Sequence, residues 1–285
     1  MGLMSGKACL VTGATSGIGR ETALRLAALG AAVTVVARDE ARGAAAAAEI
    51  RARVPGARAG ALTADLSRPA QVRRLAAQVQ DRLGRLDVLV NNAAVISARR
   101  TLTADGLEVM FATNHLGPFL LTGLLRGLLE ASAPARVVTV ASAAHRPVRA
   151  IPWDELARGG PAGNEQAYGL SKLLNILFTA ELARRLDGTG VTANCLHPGV
   201  VRTGLGREVT GLPGAALRLA LRLVPGPAAG ARTPVYLASS PDVAGVTGGY
   251  FVKSRLARPS ALAGDAGAAA RLWALSAELT GLDPA

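Results

Sequence analysis

The chain has 285 residues, of which half are hydrophobic and 18% are charged, so it can bury a large core and is not a disordered protein. Its formal net charge is +12, but the arginines are scattered along helical stretches with few aromatic residues among them, which disfavours a nucleic-acid-binding surface. The two cysteines, Cys9 and Cys195, lie in apolar runs; this excludes a disulfide-stabilised scaffold and favours a reducing, cytoplasmic location. Neither a signal peptide nor a membrane span is expected, and membrane contact is disfavoured.

Seven apolar runs alternate with amphipathic stretches along almost the whole chain. The runs predict strands at 8–11, 32–37, 59–62, 88–90, 136–140, 191–196 and near 250–252. The stretches between them predict helices at 18–29, 42–53, 69–82, 106–129, 165–186 and 212–223. Strands that are apolar throughout, each followed by a helix, predict a single α/β domain over 1–285, with a doubly wound, mostly parallel seven-stranded sheet covered by helices on both faces.

Three stretches depart from this alternation. Long connections at about 143–164 and 200–234 follow strands of the predicted sheet, where such segments usually bind substrate. The second contains an apolar helix with two arginines at 212–224, which predicts either a lid over an apolar pocket or a core helix. The C-terminal extension 254–285 is rich in Ala and Leu and is expected either to pack on the domain or to cover the site.

A glycine-rich turn, Thr12-Gly13-Ala14-Thr15-Ser16-Gly17-Ile18-Gly19-Arg20, leads from the first strand into the first helix. The unpaired N–H groups of a helix N-terminus suit a pyrophosphate, and glycines let the backbone approach it closely. Arg38 follows the second strand where an NAD enzyme would carry an acidic residue, and its guanidinium favours a 2′-phosphate. Asp39 is the alternative partner for a ribose hydroxyl. The pattern therefore predicts a dinucleotide site, with NADP (NADPH) preferred over NAD.

Four further motifs follow in order: Asn91-Asn92-Ala93-Ala94 after the fourth strand, Asn114 in the next helix, Ser142 after the fifth strand, and Tyr168-Gly169-Leu170-Ser171-Lys172. Together with the turn at 12–19, this set resembles the short-chain dehydrogenase/reductase family from about residue 7 to 252. The string 105–119, the motif Ser142-Ala143-Ala144-His145 and the motif Leu196-His197-Pro198-Gly199 are similar to its retinol dehydrogenase-like branch.

The resemblance implies a Rossmann fold and an NADP-dependent oxidoreductase of class EC 1.1.1.-. Such an enzyme moves hydride between nicotinamide and a lipophilic carbonyl or alcohol. The alternative is a non-catalytic nucleotide-sensing or scaffold protein with the same fold. Many relatives pair through the helices that begin near Gly106 and Glu165, so a homodimer or homotetramer is one expectation. No metal site is expected, because His115, His145 and His197 have no partners at metal-ligand spacing.

The resemblance assigns catalysis to Asn114, Ser142, Tyr168 and Lys172. Tyr168 and Lys172 lie four residues apart on a predicted helix, hence on one face, and a nearby ammonium is expected to lower the phenol's pKa toward neutral pH. Tyr168 would then exchange a proton with the substrate oxygen, to which Ser142 would hydrogen-bond. By resemblance, Lys172 would also hold the nicotinamide ribose, and Asn114 would fix a water that links Lys172 to solvent.

The positions expected to bind the cofactor follow the ends of the predicted strands: Gly13, Thr15, Ser16, Gly17, Ile18, Gly19, Arg38, Asp65, Leu66, Asn91, Ala93, Tyr168, Lys172, Pro198, Gly199, Val201 and Thr203. Asp65 has an alternative role, because Asp65 or Ser67 could cap the helix that starts at Pro69. Ala94 departs from the family, which usually has glycine there, and its methyl group adds bulk where the backbone passes the cofactor.

Overall fold

The computed structural model describes residues 2–161, 166–199 and 226–283. In this part of the chain, eight strands form one sheet: β1 Ala8–Thr12, β2 Ala32–Ala37, β3 Ala59–Thr63, β4 Val88–Asn91, β5 Ala135–Val140, β6 Val191–His197, β7 Tyr250–Val252 and β8 Arg255–Ala257. Their order is β3-β2-β1-β4-β5-β6-β7-β8, and all neighbours are parallel except β7 and β8. This is the doubly wound, mostly parallel sheet that the sequence predicted.

The eighth strand corrects the predicted count of seven. β8 pairs antiparallel with β7, with Val252 opposite Arg255. The two residues between the strands, Lys253 and Ser254, have φ of 51° and 59°, which suits the tight primed turns that join antiparallel strands. A strand of three residues is too short to show a period of two, so periodicity could not indicate it.

Helices cover both faces of the sheet within the described residues: α1 Gly17–Ala28, α2 Glu40–Arg53, α3 Pro69–Leu83, α4 Val109–Phe111, α5 Gly117–Leu124, α6 Arg126–Ala131, α7 Trp153–Ala157, α8 Ala167–Arg185, α9 Pro227–Gly230, α10 Arg232–Ser239 and α11 Ala266–Thr280. The helix predicted over 106–129 is in fact broken. A π-helical turn, Ala112–Leu116, lies between α4 and α5, and the helix is interrupted at Leu125 before α6 begins. The helix predicted at 212–223 lies outside the described residues.

The alternation of side chains along β1 shows how the sheet builds a core on each face. Leu10 packs into the cluster formed with α3 and α5, whereas Cys9 and Val11 pack into the cluster formed with α1 and α2. All three side chains are fully buried. Because both faces are covered, the central strands are apolar throughout, which is why they read as continuous hydrophobic runs.

The C-terminal extension packs on the domain, which decides between the two expectations for it. α11 lies against α8 and α5, and the ring of Trp273 is 4.9 Å from that of Phe119 and 6.1 Å from that of Phe178, measured between centroids. The Ser276 hydroxyl lies 2.9 Å from Nε2 of the buried His115. These contacts make α11 a part of the core rather than a loose tail.

Candidate active site and cofactor site

The glycine-rich turn after β1 has the backbone conformation that a phosphate site needs. Gly13 and Gly17 have φ of 64° and 57°, in the left-handed region that favours glycine. A Cβ at Gly13 would lie only 2.7 Å from Cα of Ala93. Ser16 is the N-cap of α1, yet its side chain makes no capping hydrogen bond. The first N–H groups of α1 are therefore left for a ligand, and the turn fits a pyrophosphate.

A set of hydrogen bonds made by Thr12 and Asn92, here called the Thr12–Asn92 lock, joins this turn to the loop after β4. The sequence did not indicate it. The Thr12 hydroxyl donates to the Val90 carbonyl across 3.2 Å and accepts from the backbone N–H groups of Asn92 and Ala93, each at 3.0 Å. The Asn92 side chain in turn donates to the Thr12 carbonyl across 2.8 Å. Thr12 and Asn92 thus hold Ala93 beside the turn. In the sequence, the only signal for these two residues was that a polar residue stands at the end of each strand.

Arg38 and Asp39 follow β2 and differ in what they can offer a ligand. Asp39 is the N-cap of α2, and its carboxylate accepts from the backbone N–H of Arg42 at 2.8 Å. Arg38 is exposed at the same sheet edge. Asp39 is thus engaged as a helix cap, whereas the Arg38 side chain is exposed.

Asp65 follows β3, and its contacts correct the alternative role considered for it. The N-cap of α3 is Arg68, not Asp65 or Ser67. The Asp65 carboxylate instead accepts from the backbone N–H and the hydroxyl of Ser67, at 2.9 and 2.8 Å. Leu66, which follows it, is buried. The acidic side chain thus shapes the loop at this sheet edge.

Lys172 is buried in the second turn of α8, with 1% of its surface exposed. Its Nζ donates to the Val140 carbonyl across 3.0 Å and lies 5.6 Å from the centre of the Tyr168 ring. Burial lowers the pKa of Lys172 from 10.5 to about 8. The ammonium is therefore held between the end of β5 and the phenol, as the spacing of the two residues predicted.

Tyr168 is partly exposed and lies close to Ser142, the residue at the N-terminus of the 3₁₀ turn Ala143–His145 after β5. Burial raises the pKa of Tyr168 above its ordinary value of 10.0, and the nearby Ser142 side chain offsets only part of that effect. The net lowering of this pKa that was expected from Lys172 is not found, because desolvation of Tyr168 is the largest effect on it. The neutral phenol is the favoured form.

Asn114 lies in the π-helical turn, a feature frequent at functional sites. Its Oδ1 accepts from the backbone N–H of Val95 at 2.8 Å, while its Nδ2 donates to the Val95 carbonyl and to Oγ of Ser171, each at 3.0 Å. Ser171 neighbours Lys172 on α8. The side chain therefore ties the loop after β4 to the helix that carries Tyr168 and Lys172, and it holds that loop rather than Lys172 directly.

Some of the remaining expected cofactor positions lie within the described residues and others do not. Asn91 is buried at the end of β4 and donates to Oγ1 of Thr122 across 3.0 Å. Pro198 and Gly199 follow β6 at the same sheet edge, and Gly199 has φ of 90°. Ala94 has an ordinary backbone conformation outside the left-handed region, so its methyl group introduces no strain. Val201 and Thr203 lie outside the described residues, as do 162–165 and 200–225 of the two predicted substrate loops.

Three general features of the described ranges concern metal ions, membrane-spanning helices and thiols. No group of three His, Cys, Asp or Glu side chains lies close enough to hold a metal ion there. In the same ranges, no helix combines the length and the apolar character needed to cross a membrane. Cys9 and Cys195 are free thiols in the core, and burial raises the pKa of each to about 12.

Comparison with known proteins agrees with this geometry. The sequence profile of the short chain dehydrogenase family matches residues 7–211. The chain is 43% identical to retinol dehydrogenase 14 of Mus musculus, over 99% of this chain and 88% of that protein. It is also 41% identical to retinol dehydrogenase 13 of Homo sapiens, over 98% of this chain and 86% of that protein.

Solved structures show the same fold. An uncharacterised protein from Mycobacterium paratuberculosis superposes with a TM-score of 0.77 at 35% identity, covering 98% of this chain and 94% of the other. A short chain dehydrogenase from Burkholderia cenocepacia J2315 in complex with NADP gives a TM-score of 0.70 at 29% identity, covering 87% and 96%. The chain therefore belongs to the short-chain dehydrogenase/reductase family, in its retinol dehydrogenase-like branch, and is an NAD(P)-dependent oxidoreductase.

Proposed function

We propose that this oxidoreductase uses NADP(H) to interconvert a lipophilic aldehyde or ketone and the corresponding alcohol. The observation that carries the proposal is the contact of Tyr168 with Ser142 and with the buried ammonium of Lys172. These groups lie at the sheet edge that also carries the open N-terminus of α1. Retinol dehydrogenases are named for a lipophilic alcohol, and the resemblance to them supports a substrate of that class.

The chemistry follows from the state of each side chain. A bound nicotinamide cofactor supplies or accepts the hydride. Ser142 would hydrogen-bond to the substrate's carbonyl oxygen, where negative charge develops. Tyr168, kept protonated by its raised pKa, would donate its phenolic proton to that oxygen. The Lys172 ammonium would stabilise the resulting phenolate, and in alcohol oxidation the proton would travel the opposite way.

The residues present fit a phosphorylated dinucleotide. The positive-φ glycines and the uncapped start of α1 suit the pyrophosphate, and Lys172 has the donors to reach ribose hydroxyls. Arg38 supports NADP over NAD, because its neighbour Asp39 is engaged as a helix cap. Asp65, Leu66, Asn91, Ala93, Pro198 and Gly199 would complete the cofactor's surroundings, as the resemblance implies.

The function is tested by measuring kcat/KM for all-trans-retinal, a medium-chain aliphatic aldehyde and a small hydroxylated aldehyde, each with NADPH and with NADH. We expect the two lipophilic aldehydes to be preferred by about tenfold or more, and we expect Tyr168→Phe to lose at least about a hundredfold in kcat. Preference for the hydroxylated aldehyde would contradict the substrate class. NADPH binding without turnover of any carbonyl would favour the non-catalytic nucleotide-sensing alternative.

We also propose how the chain assembles and where it is located. Pairing through α5 and α8 would compete with α11, which already packs on both helices. We therefore propose that a homodimer or homotetramer, if formed, uses another surface. A molar mass measured by light scattering, for the intact chain and for Trp273→Ala, tests this. We also propose a cytoplasmic location, supported by the composition, which cell fractionation would test.

A further inference from the structure

His145 links the residue at the end of β5 to the C-terminal extension. Its side chain is fully buried. Its Nδ1 lies 2.6 Å from the carbonyl oxygen of Ser142, and its Nε2 lies 3.1 Å from the backbone nitrogen of Ser260. Because the Ser260 N–H can only donate, Nε2 must accept, and the ring proton must be on Nδ1, where it donates to Ser142. The geometry thus requires one neutral tautomer with both nitrogens in use.

The surroundings of His145 hold it in this state. The ring of Tyr250 on β7 meets it edge-on, with the centroids 5.3 Å apart. Burial lowers the pKa of His145 below its ordinary value, so the neutral form is favoured near neutral pH. A second hydrogen bond joins the same two segments: Nη2 of Arg146 donates to the carbonyl of Arg258 across 2.9 Å. The turn after β5 is thereby fastened to the chain just after β8.

The hydrogen bond from His145 to the Ser142 carbonyl also bears on the position of the Ser142 hydroxyl. Ser142 Oγ accepts from the backbone N–H of Ala144 at 3.2 Å and lies close to Tyr168. The carbonyl of Ser142 and its side chain diverge from one Cα atom. A hydrogen bond that holds the carbonyl therefore fixes the rotation about the Cα–C bond of Ser142. That rotation sets the orientation of the following turn relative to the Ser142 hydroxyl.

We propose that His145 is a positioning residue for Ser142, and that the C-terminal extension belongs to the active-site framework because Ser260 orients the imidazole. None of the sequence motifs predicted this role, since in the sequence His145 is a single histidine without partners at metal-ligand spacing. The proposal rests on the carbonyl chemistry proposed above. It predicts that a change confined to the Ser260 backbone, remote from the reacting atoms, alters the chemical step.

Ser260 offers a matched pair of variants. Its φ of −67° is the value that proline imposes, so Ser260→Pro removes the N–H donor with little backbone strain. Ser260→Ala keeps the N–H and removes only the hydroxyl, which is buried without a partner. We expect Ser260→Pro to slow hydride transfer in a single turnover by about tenfold, the effect of one lost hydrogen bond, while Ser260→Ala stays within about twofold of wild type. Equal rates for the two variants would overturn the proposal.

The two nitrogens of His145 can be separated in the same way. Asn places an amide donor near the position of Nδ1, and Gln places an amide oxygen near that of Nε2. His145→Asn keeps the donor to Ser142 but loses the bond to Ser260, so we expect it to slow hydride transfer by about as much as Ser260→Pro. His145→Gln loses the donor to Ser142 itself, and we expect it to lose more than about tenfold, with unchanged dissociation constants for NADPH in both variants. A common loss that follows the melting temperature of each variant would show a purely structural role and overturn the proposal.

Hydrogen exchange gives a readout that does not depend on turnover. In the resting chain, the backbone N–H of Arg146 donates to the Ala143 carbonyl across 3.0 Å, and that of His145 to the Ser142 carbonyl across 3.3 Å. These amides should exchange faster in Ser260→Pro than in Ser260→Ala. Unchanged exchange would overturn the positioning role even in an active enzyme. If the two variants show this exchange difference but the wild-type protein reduces no carbonyl, the proposed function is contradicted instead.

Discussion

The ammonium of Lys172 donates to the carbonyl oxygen of Val140 across 3.0 Å, so a buried cation joins α8 to the last residue of β5. Among the described residues, the Val140 carbonyl is the hydrogen-bond acceptor for Nζ, and the centre of the Tyr168 ring lies 5.6 Å away. Burying a charge with so little compensation is costly. The charged Lys172 therefore lowers the stability of the folded chain, a cost that is common where function requires a destabilising group in the active site.

Replacing Lys172 with Met should stabilise the fold near neutral pH while abolishing activity. The fall in pKa from 10.5 to about 8 corresponds to about 3 kcal/mol, of which part would be lost again because the Val140 carbonyl is left without its partner. We expect a net gain of about 1–2 kcal/mol in the free energy of unfolding. Urea denaturation measures it, with Lys253→Met in the exposed β7–β8 turn as a control that should change little.

The same shift fixes how this stabilisation depends on pH. Between about 8 and 10.5 the unfolded chain binds a proton at Lys172 that the folded chain has released. Stability contributed by this group therefore rises with pH across that window. In Lys172→Met this rise should be missing, so the difference between variant and wild type should shrink toward the alkaline end. A constant difference across the window would contradict the assignment of the shift to Lys172.

Aldehyde reduction should lose efficiency above about pH 8. Lys172 becomes neutral there, and it then no longer stabilises the phenolate formed when Tyr168 gives up its proton. Tyr168 itself, with a raised pKa, stays protonated to higher pH and does not limit the reaction first. The measurement is kcat/KM for NADPH-dependent reduction of a non-ionisable aldehyde across this range. A profile that stays flat until about pH 10 would show that the charge on Lys172 is not required.

The parallel sheet was predictable because its strands are buried on both faces and are therefore apolar throughout. The sequence could not show where the long helix over 106–129 breaks, since the π-helical turn that orients Asn114 keeps the same hydrophobic pattern as its neighbours. The electrostatics of the site were also beyond the sequence. Spacing placed Lys172 beside Tyr168, but only the packing of α8 shows that desolvation controls both pKa values.

Arg38→Ala should remove the preference for NADPH over NADH. In the wild type we expect a ratio of dissociation constants of about tenfold or more, equivalent to about 1.4 kcal/mol, from pairing of the guanidinium with a 2′-phosphate. The comparison variant is Arg42→Ala, which removes an equal charge from the exposed start of α2 but leaves the cap made by Asp39. Fluorescence titration with both nucleotides measures the ratios. A ratio that falls equally in both variants would indicate a general effect of charge and not a contact with Arg38.

Gly19→Ala and Ala94→Gly should affect NADPH binding very differently. A Cβ at Gly19 would collide with the Asn92 amide and lie 2.5 Å from the Gly13 carbonyl oxygen, so it would displace both the lock and the turn. We expect NADPH affinity to fall by about tenfold or more, because the pyrophosphate depends on those backbone N–H groups.

Ala94, by contrast, sits in an ordinary backbone conformation, so restoring the family's usual glycine relieves no strain. The expected change in NADPH affinity for Ala94→Gly is less than about threefold, measured by the same titration. A large gain would show that the methyl group obstructs the cofactor directly. A change in NADPH affinity for Gly19→Ala as small as that for Ala94→Gly would mean that the Thr12–Asn92 lock does not control cofactor binding.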